Sequence, residues 1–432
     1  MKERTTVQTS LLGIANKAKS DKRYRFRNLY RELNEELLVD SWRLLRKDAA
    51  LGVDRISAAE YEANLEENIH QLVEQLKRKS YRAKLVRRHY IPKGTGGLRA
   101  LGIPATEDKL LQLAVKRLLE AIYEQDFLPG SYGYRPQVGA RAAVEELSNK
   151  LQFGNYHQVV EADIKGFFDN LSHEWLMRML GERIDDEPFL RLLKKWLKAG
   201  VLDTDGKVLR PESGTPQGGI ISPLLANVYL HYVLDLWFAR VFQPDCRGAA
   251  FLHRYADDFV CGFARAEEAT RFYQELTARL QKFGLELAPD KTRVIPFSRY
   301  RQGETSFEFL GFEFRWGVDR QGRARLKRRT APKKFRDSVR RVAEWCQQHR
   351  HRRVREQIQL LNAKLRGYNN YYGVIGNYKS LDQFYYQVRR IHWRWLNRRS
   401  QRRSYTWAAY AQLIRWLQLE RPRIVTSHRP PF

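Results

Sequence analysis

Two adjacent aspartates, Asp257 and Asp258, lie inside His253-Arg254-Tyr255-Ala256-Asp257-Asp258-Phe259-Val260. The runs Phe251-Leu252 before them and Phe259-Val260-Cys261 after them are too short for helices. They read as two strands of a tight β-hairpin with the carboxylates at its tip. Acids side by side repel, and a turn by itself would favour Asn-Gly or Asp-Gly. A cation resolves the conflict, and a hard divalent metal with oxygen ligands is the natural candidate. On these residues alone the alternative is a solvated surface turn.

A third acid comes earlier. Val159-Val160-Glu161-Ala162-Asp163-Ile164 reads as a buried strand ending in an acid, followed by Lys165-Gly166-Phe167-Phe168-Asp169. An aspartate at a strand exit is a helix cap or a metal ligand. Asp169 or Ser172 suits the cap better, because a helix is predicted from His173. Asp163 is thereby left for other chemistry.

Two glycine-rich stretches could approach an anionic ligand. Ile91-Pro92-Lys93-Gly94-Thr95-Gly96-Gly97-Leu98-Arg99 is a turn between strands with a basic residue on each side. Lys93 and Arg99 could lie on a triphosphate, or simply be solvated. Ser213-Gly214-Thr215-Pro216-Gln217-Gly218-Gly219-Ile220-Ile221-Ser222-Pro223 leads into an apolar helix predicted from Leu224 to Phe238. Glycines around Pro216-Gln217 let backbone come close to a ligand at a helix entrance.

The elements that must carry these residues follow from periodicity. Residues 1–32 read as one short helix. Further helices are predicted over 33–51, 58–79, 107–122, 140–151, 174–180, 188–199 and 267–283, and a strand over 81–91. The alternation from Phe307 to Phe314 predicts a hairpin strand.

Across 432 residues, 43% are hydrophobic and 29% charged, which excludes wholesale disorder. Lys and Arg number 78 against 49 Asp and Glu, a net charge of +29 that predicts a polyanionic partner. Aromatic content of 12% favours nucleic acid over an anionic membrane surface. Cys246, Cys261 and Cys346 form no C-x-x-C pair, so no zinc site or disulfide framework is indicated. With no apolar signal core and no run near the ~18 apolar residues of a membrane span, the expected compartment is the cytoplasm, with no membrane partner.

Composition shifts near Gly322. Residues 323–403 hold 24 Lys or Arg and 4 Asp or Glu, yet three helical faces run through them. Phe335, Val339, Val342 and Trp345 make the first, Ile358, Leu361 and Leu365 the second, and Phe384, Val388, Ile391 and Trp395 the third. That pattern is a folded basic module. Arginine interleaved with aromatics also suits single strands and A-form helices. Arg389, Arg390, Arg398 and Arg399 are the candidate RNA contacts, while packing is the other use for Tyr371, Tyr372, Trp393 and Trp395.

Taken in order, Asp163 with Lys-Gly-Phe-Phe-Asp, Gly-Thr-Pro-Gln-Gly-Gly-Ile-Ile-Ser-Pro and Tyr-Ala-Asp-Asp resemble the palm of reverse transcriptases. More narrowly, the chain resembles the group II intron reverse transcriptase/maturase family, over roughly residues 33–425. Ile-Pro-Lys, Leu-Gly-Ile-Pro, Ser-Tyr-Gly-Tyr-Arg-Pro, Phe-Leu-Gly-Phe, Leu365-Arg366-Gly367-Tyr368 and Tyr371-Tyr372-Gly373 match as well. The resemblance implies an α+β right-hand polymerase, fingers and palm with an antiparallel sheet, followed by an α-helical thumb/maturase domain. The boundaries it implies are 1–80 for an N-terminal extension and the start of the fingers, 81–320 for fingers and palm, and 321–400 for thumb/maturase. Residues 401–432 would be a short basic segment, a reduced DNA-binding region.

Roles carry over by the same resemblance. Asp163 and Asp257 would bridge two Mg²⁺ ions, Mn²⁺ being a possible substitute, with Asp258 in support and the Ile164 carbonyl assisting. Lys93 and Arg99 would hold the triphosphate, and Gln217 and Gly218 would line the nucleotide pocket. Phe168 would sit under the sugar and select deoxynucleotides; packing is its other use. Lys291 would protonate the leaving pyrophosphate, unless it is only a solvated lysine. Phe309, Leu310 and Gly311 would be the primer grip. The partners implied are an RNA template, a DNA primer, dNTPs, structured intron RNA and a DNA target, in a bacterial, nucleoid-associated setting. No paired cysteines of an HNH-type endonuclease follow, so the endonuclease-less type is expected.

This sequence departs from the family at Ala100, at Arg55 and over Gln137-Val138-Gly139-Ala140-Arg141. These positions touch template-binding fingers rather than the acids. They also fit a relative with a host role in phage defence, CRISPR spacer acquisition or DNA repair. An RNA-binding splicing factor without polymerase activity is the remaining alternative, and the intact acids argue against it.

Overall fold

Apolar runs too short for helices collect into three sheets in a computed structural model of the chain. The structure describes residues 2–92, 97–136, 138–215, 217–301, 303, 305–401 and 404–425. It divides into two compact units, Met1–Ala143 with Val159–Val294, and Val144–Gln158 with Ile295–Phe432.

In the first unit, strands β1 (Val86–Pro92) and β2 (Leu98–Ile103) pair antiparallel, with Ile91 opposite Arg99. The sheet is completed by β5 (Val201–Leu202) and β6 (Val208–Leu209), in the order β2-β1-β5-β6. A second sheet runs β3-β7-β8-β4-β9. Its strands are β3 (Ser131–Tyr132), β4 (Gln158–Asp163), β7 (Ala250–Tyr255), β8 (Asp258–Phe263) and β9 (Arg293–Pro296). Val159, Val160, Phe259, Val260, Cys261 and Phe263 are buried, as runs covered on both faces should be.

Helices cover that sheet. Thr106–Tyr123 buries most of its length, so its apolar stripe has widened into a core helix. Ser222–Leu230 continues through two π-helical stretches, His231–Asp235 and Phe238–Phe242. Ser172 caps the helix His173–Gly181 through the Trp175 amide, as the cap argument predicts.

Several helix boundaries correct the sequence reading. Residues 1–32 hold a 19-residue helix, Lys2–Ser20, rather than a short one. The helix expected over 33–51 spans only Glu35–Leu44, because Leu45 is extended. The one expected over 58–79 is two, Ala58–Glu62 and Leu65–Lys77, broken at Asn64.

In the second unit, β10 (Ser306–Phe309), β11 (Phe312–Val318) and β12 (Ala324–Thr330) form an antiparallel sheet. The stretch Phe307 to Phe314 is therefore two strands and a turn, not one strand. Leu310 and Gly311 form the turn at φ +50° and +76°, left-handed at both positions as a tight hairpin requires. Gly322 lies in the turn between β11 and β12. Helices Pro332–His349, Val354–Tyr372 and Tyr378–Leu396 carry the three predicted faces, and Trp407–Trp416 joins their core through Tyr410 and Ile414.

Candidate active site

The hairpin forms as its pattern predicts. Tyr255 pairs with Asp258, so only Ala256 and Asp257 span the turn. Ala256 sits at φ +57°, a left-handed conformation that costs an L-residue roughly 1 kcal/mol or more and needs support. Its N–H donates to the Tyr132 carbonyl at 3.0 Å. Gly133 leaves room for this contact, since a Cβ there would lie 2.7 Å from the Ala256 nitrogen.

Asp163 is the last residue of β4, and β4 adjoins β8, of which Asp258 is the first residue. The three predicted acids are thus brought to one end of neighbouring strands. Their electrostatics agree. Asp258 is pushed up to about 7, first by burial, then by the charges of Asp163, Asp257 and Glu161. Asp257 is raised by burial and by Asp163, against the pull of Arg99 and Lys291.

Beyond Asp163 the chain is closed by a second segment. The Lys165 amide donates to the Glu286 carbonyl and the Ala288 amide to the Asp163 carbonyl, both at 2.8 Å, with Ile164 bridged to Leu287. The turn Pro289–Lys291 then brings the Lys291 ammonium onto the Asp163 carboxylate as hydrogen bond and ion pair. Asp163, through that hydrogen bond, raises the pKa of Lys291, and the charges of Asp257 and Asp258 add to the effect.

The glycine-rich loop packs beside this cluster. Thr215 donates its amide to the Phe168 carbonyl at 2.8 Å, and Gly214 to the Leu171 carbonyl at 2.7 Å. On the other side, the Gly102 amide donates to the Gln217 carbonyl at 2.6 Å. Gly218, at φ +114°, faces Gly102 so closely that a Cβ would lie 2.7 Å from the Gly102 carbonyl oxygen. The loop therefore bonds to β2 through Gln217 and to the segment that carries Phe168 through Gly214 and Thr215. Phe167 is the buried ring of its pair, and Phe168 is half-buried. Arg99 is exposed on β2 and its charge reaches Asp257. Lys93 lies outside the described residues.

Tyr134 was missed by the sequence reading, which used it only as part of the run Ser-Tyr-Gly-Tyr-Arg-Pro. It is exposed, meets Phe168 edge-to-face at 6.4 Å between ring centroids, and feels the charges of Asp257 and Arg99. A tyrosine in a turn with Gly133 and Arg135 carries no pattern that marks such a neighbourhood.

In the second unit the remaining candidates divide between packed and exposed positions. The Tyr371 hydroxyl donates to the Leu310 carbonyl at 3.0 Å, and Phe312 stacks on Tyr371. Phe309 is buried in that unit's core. Arg390 and Arg398 are exposed, each over a ring, Tyr386 and Trp395 respectively. Arg389 lies between Tyr385 and Trp407, and Arg399 turns back onto the Leu396 carbonyl at 3.3 Å. The latter two are partly absorbed by packing.

Oxygen donors alone, with Asp163 strengthening the hold of Asp257 and Asp258 on their protons, fit a hard divalent cation. The Lys291 ammonium on Asp163 shows that positive charge is accommodated there. As the side chains stand, no three His, Cys, Asp or Glu among the described residues are grouped so as to hold a metal ion.

Residues 91–314 match the family described as reverse transcriptase (RNA-dependent DNA polymerase). Group II intron-encoded protein LtrA of Lactococcus lactis subsp. cremoris is 30% identical, over 74% of this chain and 66% of LtrA. Protein YkfC of Escherichia coli is 33% identical, over 65% of this chain and 82% of YkfC. Among solved structures, telomerase from Candida albicans in complex with a TWJ fragment of telomeric RNA matches with a TM-score of 0.45 and 13% identity, over 85% of this chain and 71% of that one. The fold is that of a right-hand polymerase. The chain belongs to the reverse transcriptase family. It spans about two-thirds of the length of its intron-encoded relative. Members of this family work on RNA templates and use divalent metal ions. Among the described residues, no helix is long and apolar enough to cross a membrane.

Proposed function

We propose that this chain extends a DNA primer along an RNA template, using deoxynucleoside triphosphates and two divalent ions, Mg²⁺ or in its place Mn²⁺. The observation that carries the reading is the convergence of Asp163, Asp257 and Asp258 at one end of adjacent strands, with burial and mutual repulsion raising the second and third. These carboxylates, with the Ile164 carbonyl, would hold the metal, which supplies charge neutralisation for an in-line attack on the α-phosphate.

The chain's own groups do the remainder. Asp163 and Asp257 orient the reacting end, with Asp258 behind them. Arg99 and Lys93 bind the triphosphate. Gln217 and Gly218 present backbone to the nucleotide. Phe168 fills the space a 2′-hydroxyl would need. Lys291, its proton held by Asp163, gives that proton to the departing pyrophosphate. Phe309, Leu310 and Gly311 support the primer strand.

We also propose a maturase role, in which the basic second unit binds structured intron RNA, supports splicing and helps reach a DNA target. The similarity to LtrA and the excess of arginine over residues 323–403 support it. Its setting would be the bacterial cytoplasm, on nucleic acid, as the charge of +29 and the bacterial relatives favour. Incorporation of deoxynucleotides on a primed RNA template, compared with Asp257→Ala, tests the polymerase. Binding of structured RNA across a salt series tests the second unit.

A further inference from the structure

Behind the hairpin lies a cation that no role above uses. Arg254 is 0% exposed, and Asp235 opposite it is 3% exposed. A guanidinium has five N–H donors in a fixed fork, and here each has an acceptor. Nε and one Nη2 hydrogen donate to the two oxygens of Asp235, at 2.8 and 2.6 Å. Nη2 also donates to the Ser131 hydroxyl at 2.6 Å. Nη1 donates to the Asn227 side-chain oxygen at 3.0 Å and to the Ala256 carbonyl at 2.9 Å.

The last bond matters most. The Ala256 carbonyl belongs to the peptide joining Ala256 to Asp257, inside the two-residue turn. The Ala256 N–H is already fixed by the Tyr132 carbonyl. Both polar groups of this left-handed residue are therefore held, one from β3 and one by Arg254. The Asn227 amide in turn donates to the Gly133 carbonyl at 2.8 Å, which ties the segment that backs the turn to the same network.

The helix is adapted to this task. Asn227 and Asp235 are eight residues apart, which in a straight α-helix puts them about 80° out of line. The π-helical stretch His231–Asp235 takes up an extra residue per turn. That brings the two side chains back to one face, as π-bulges at functional sites do.

We propose that Arg254, with Asp235 as its counter-charge, is a positioning residue. It sets the plane of the 256–257 peptide and so the direction in which Asp257 presents its carboxylate to metal. The inference rests on the polymerase reading, and its test separates the two. Removing one partner of a buried pair leaves an uncompensated charge, but exchanging both for apolar side chains of similar size is tolerated. The chain is therefore made as Arg254→Met with Asp235→Leu, and separately as Arg254→Lys. Lysine keeps a cation against Asp235 and has three donors rather than a five-donor fork.

Three quantities are read: the thermal midpoint, Mn²⁺ affinity by electron paramagnetic resonance without substrate, and steady-state extension of a DNA primer on an RNA template. Arg254 as a positioning residue gives a double variant that melts within a few degrees of the parent. Its Mn²⁺ affinity falls about tenfold, and kcat falls about 100-fold with the KM for nucleotide little changed. Arg254→Lys gives the same split, and alone decides the matter should the double variant not fold. Parent-like Mn²⁺ affinity and kcat in either folded variant would overturn the proposal. If the parent itself extends no primer, the polymerase reading fails, and the Mn²⁺ titration still decides the role of Arg254.

Discussion

Lys291 rests its ammonium on the carboxylate of Asp163, 128 residues away in sequence. The contact has two consequences. It keeps positive charge beside an acid that sits within reach of two others. It also keeps a proton on a lysine whose pKa that acid raises.

Lys291→Ala should lower the single-turnover rate of nucleotide addition by about 100-fold, the low end for loss of a general acid. Lys291→Arg should fall between, since it keeps charge but gives up a proton poorly. Lys291 is largely exposed, so the thermal midpoint should hardly move in either variant. A parent-like rate in Lys291→Ala would reduce the contact to a surface ion pair.

Two neighbouring rings should separate cleanly. Phe167 is buried in the core and Phe168 is half-buried beside Tyr134. Phe167→Ala should cost about 3–5 kcal/mol of stability, the usual loss for a buried phenylalanine. Phe168→Ala should cost less and should admit ribonucleotides, measured as the ratio of rNTP to dNTP incorporation. Continued exclusion of ribonucleotides would leave Phe168 a packing residue.

The acids were legible in the sequence because each ends or begins a short apolar run, a local pattern. Other features needed the fold. In Phe-Glu-Phe-Leu-Gly-Phe-Glu-Phe the alternation slips phase between Phe309 and Phe312, three residues apart. That mirror pattern marks a two-residue turn, but its surface alternation reads as one strand. Val7, Leu11, Ile14 and Ala18 recur at helical spacing, yet the stripe is thin and polar neighbours hide it. Arg254 and Asp235 are each a lone charge in an apolar run. Only the packing of strand on helix shows that they are partners.

Arginines that look alike in sequence should behave differently. Arg390→Ala and Arg398→Ala should weaken RNA binding, each lowering the slope of log K against log salt by about one. Arg389→Ala should instead lower the thermal midpoint of the second unit, because its guanidinium fills the space between Tyr385 and Trp407. Filter binding across a salt series checks the first pair, and calorimetry the third. Equal salt slopes in parent and Arg390→Ala would move the RNA contact elsewhere.

The second unit should be acid-labile. His392 is buried between the Tyr410 hydroxyl at 3.0 Å and the Gln357 side chain at 3.1 Å. Burial, with Arg399 adding to it, pushes its pKa down to about 3 from 6.5. The unfolded chain then binds more protons than the folded one between those values. Stability is full above about pH 6.5 and falls by up to ~1.4 kcal/mol per unit as pH drops toward 3. His392→Gln should flatten that limb in pH-dependent denaturation. An unchanged limb would assign the acid sensitivity to other groups.

Primer extension tests the account most directly. The chain is given an RNA template with an annealed DNA primer, all four dNTPs and Mg²⁺, and the product is followed with time on a sequencing gel. The parent should extend the primer to the template end, and Asp257→Ala, folded as shown by its thermal midpoint, should add no nucleotide over the same time. Full extension by Asp257→Ala, or none by the parent, would contradict the claim that Asp163, Asp257 and Asp258 form the polymerase site.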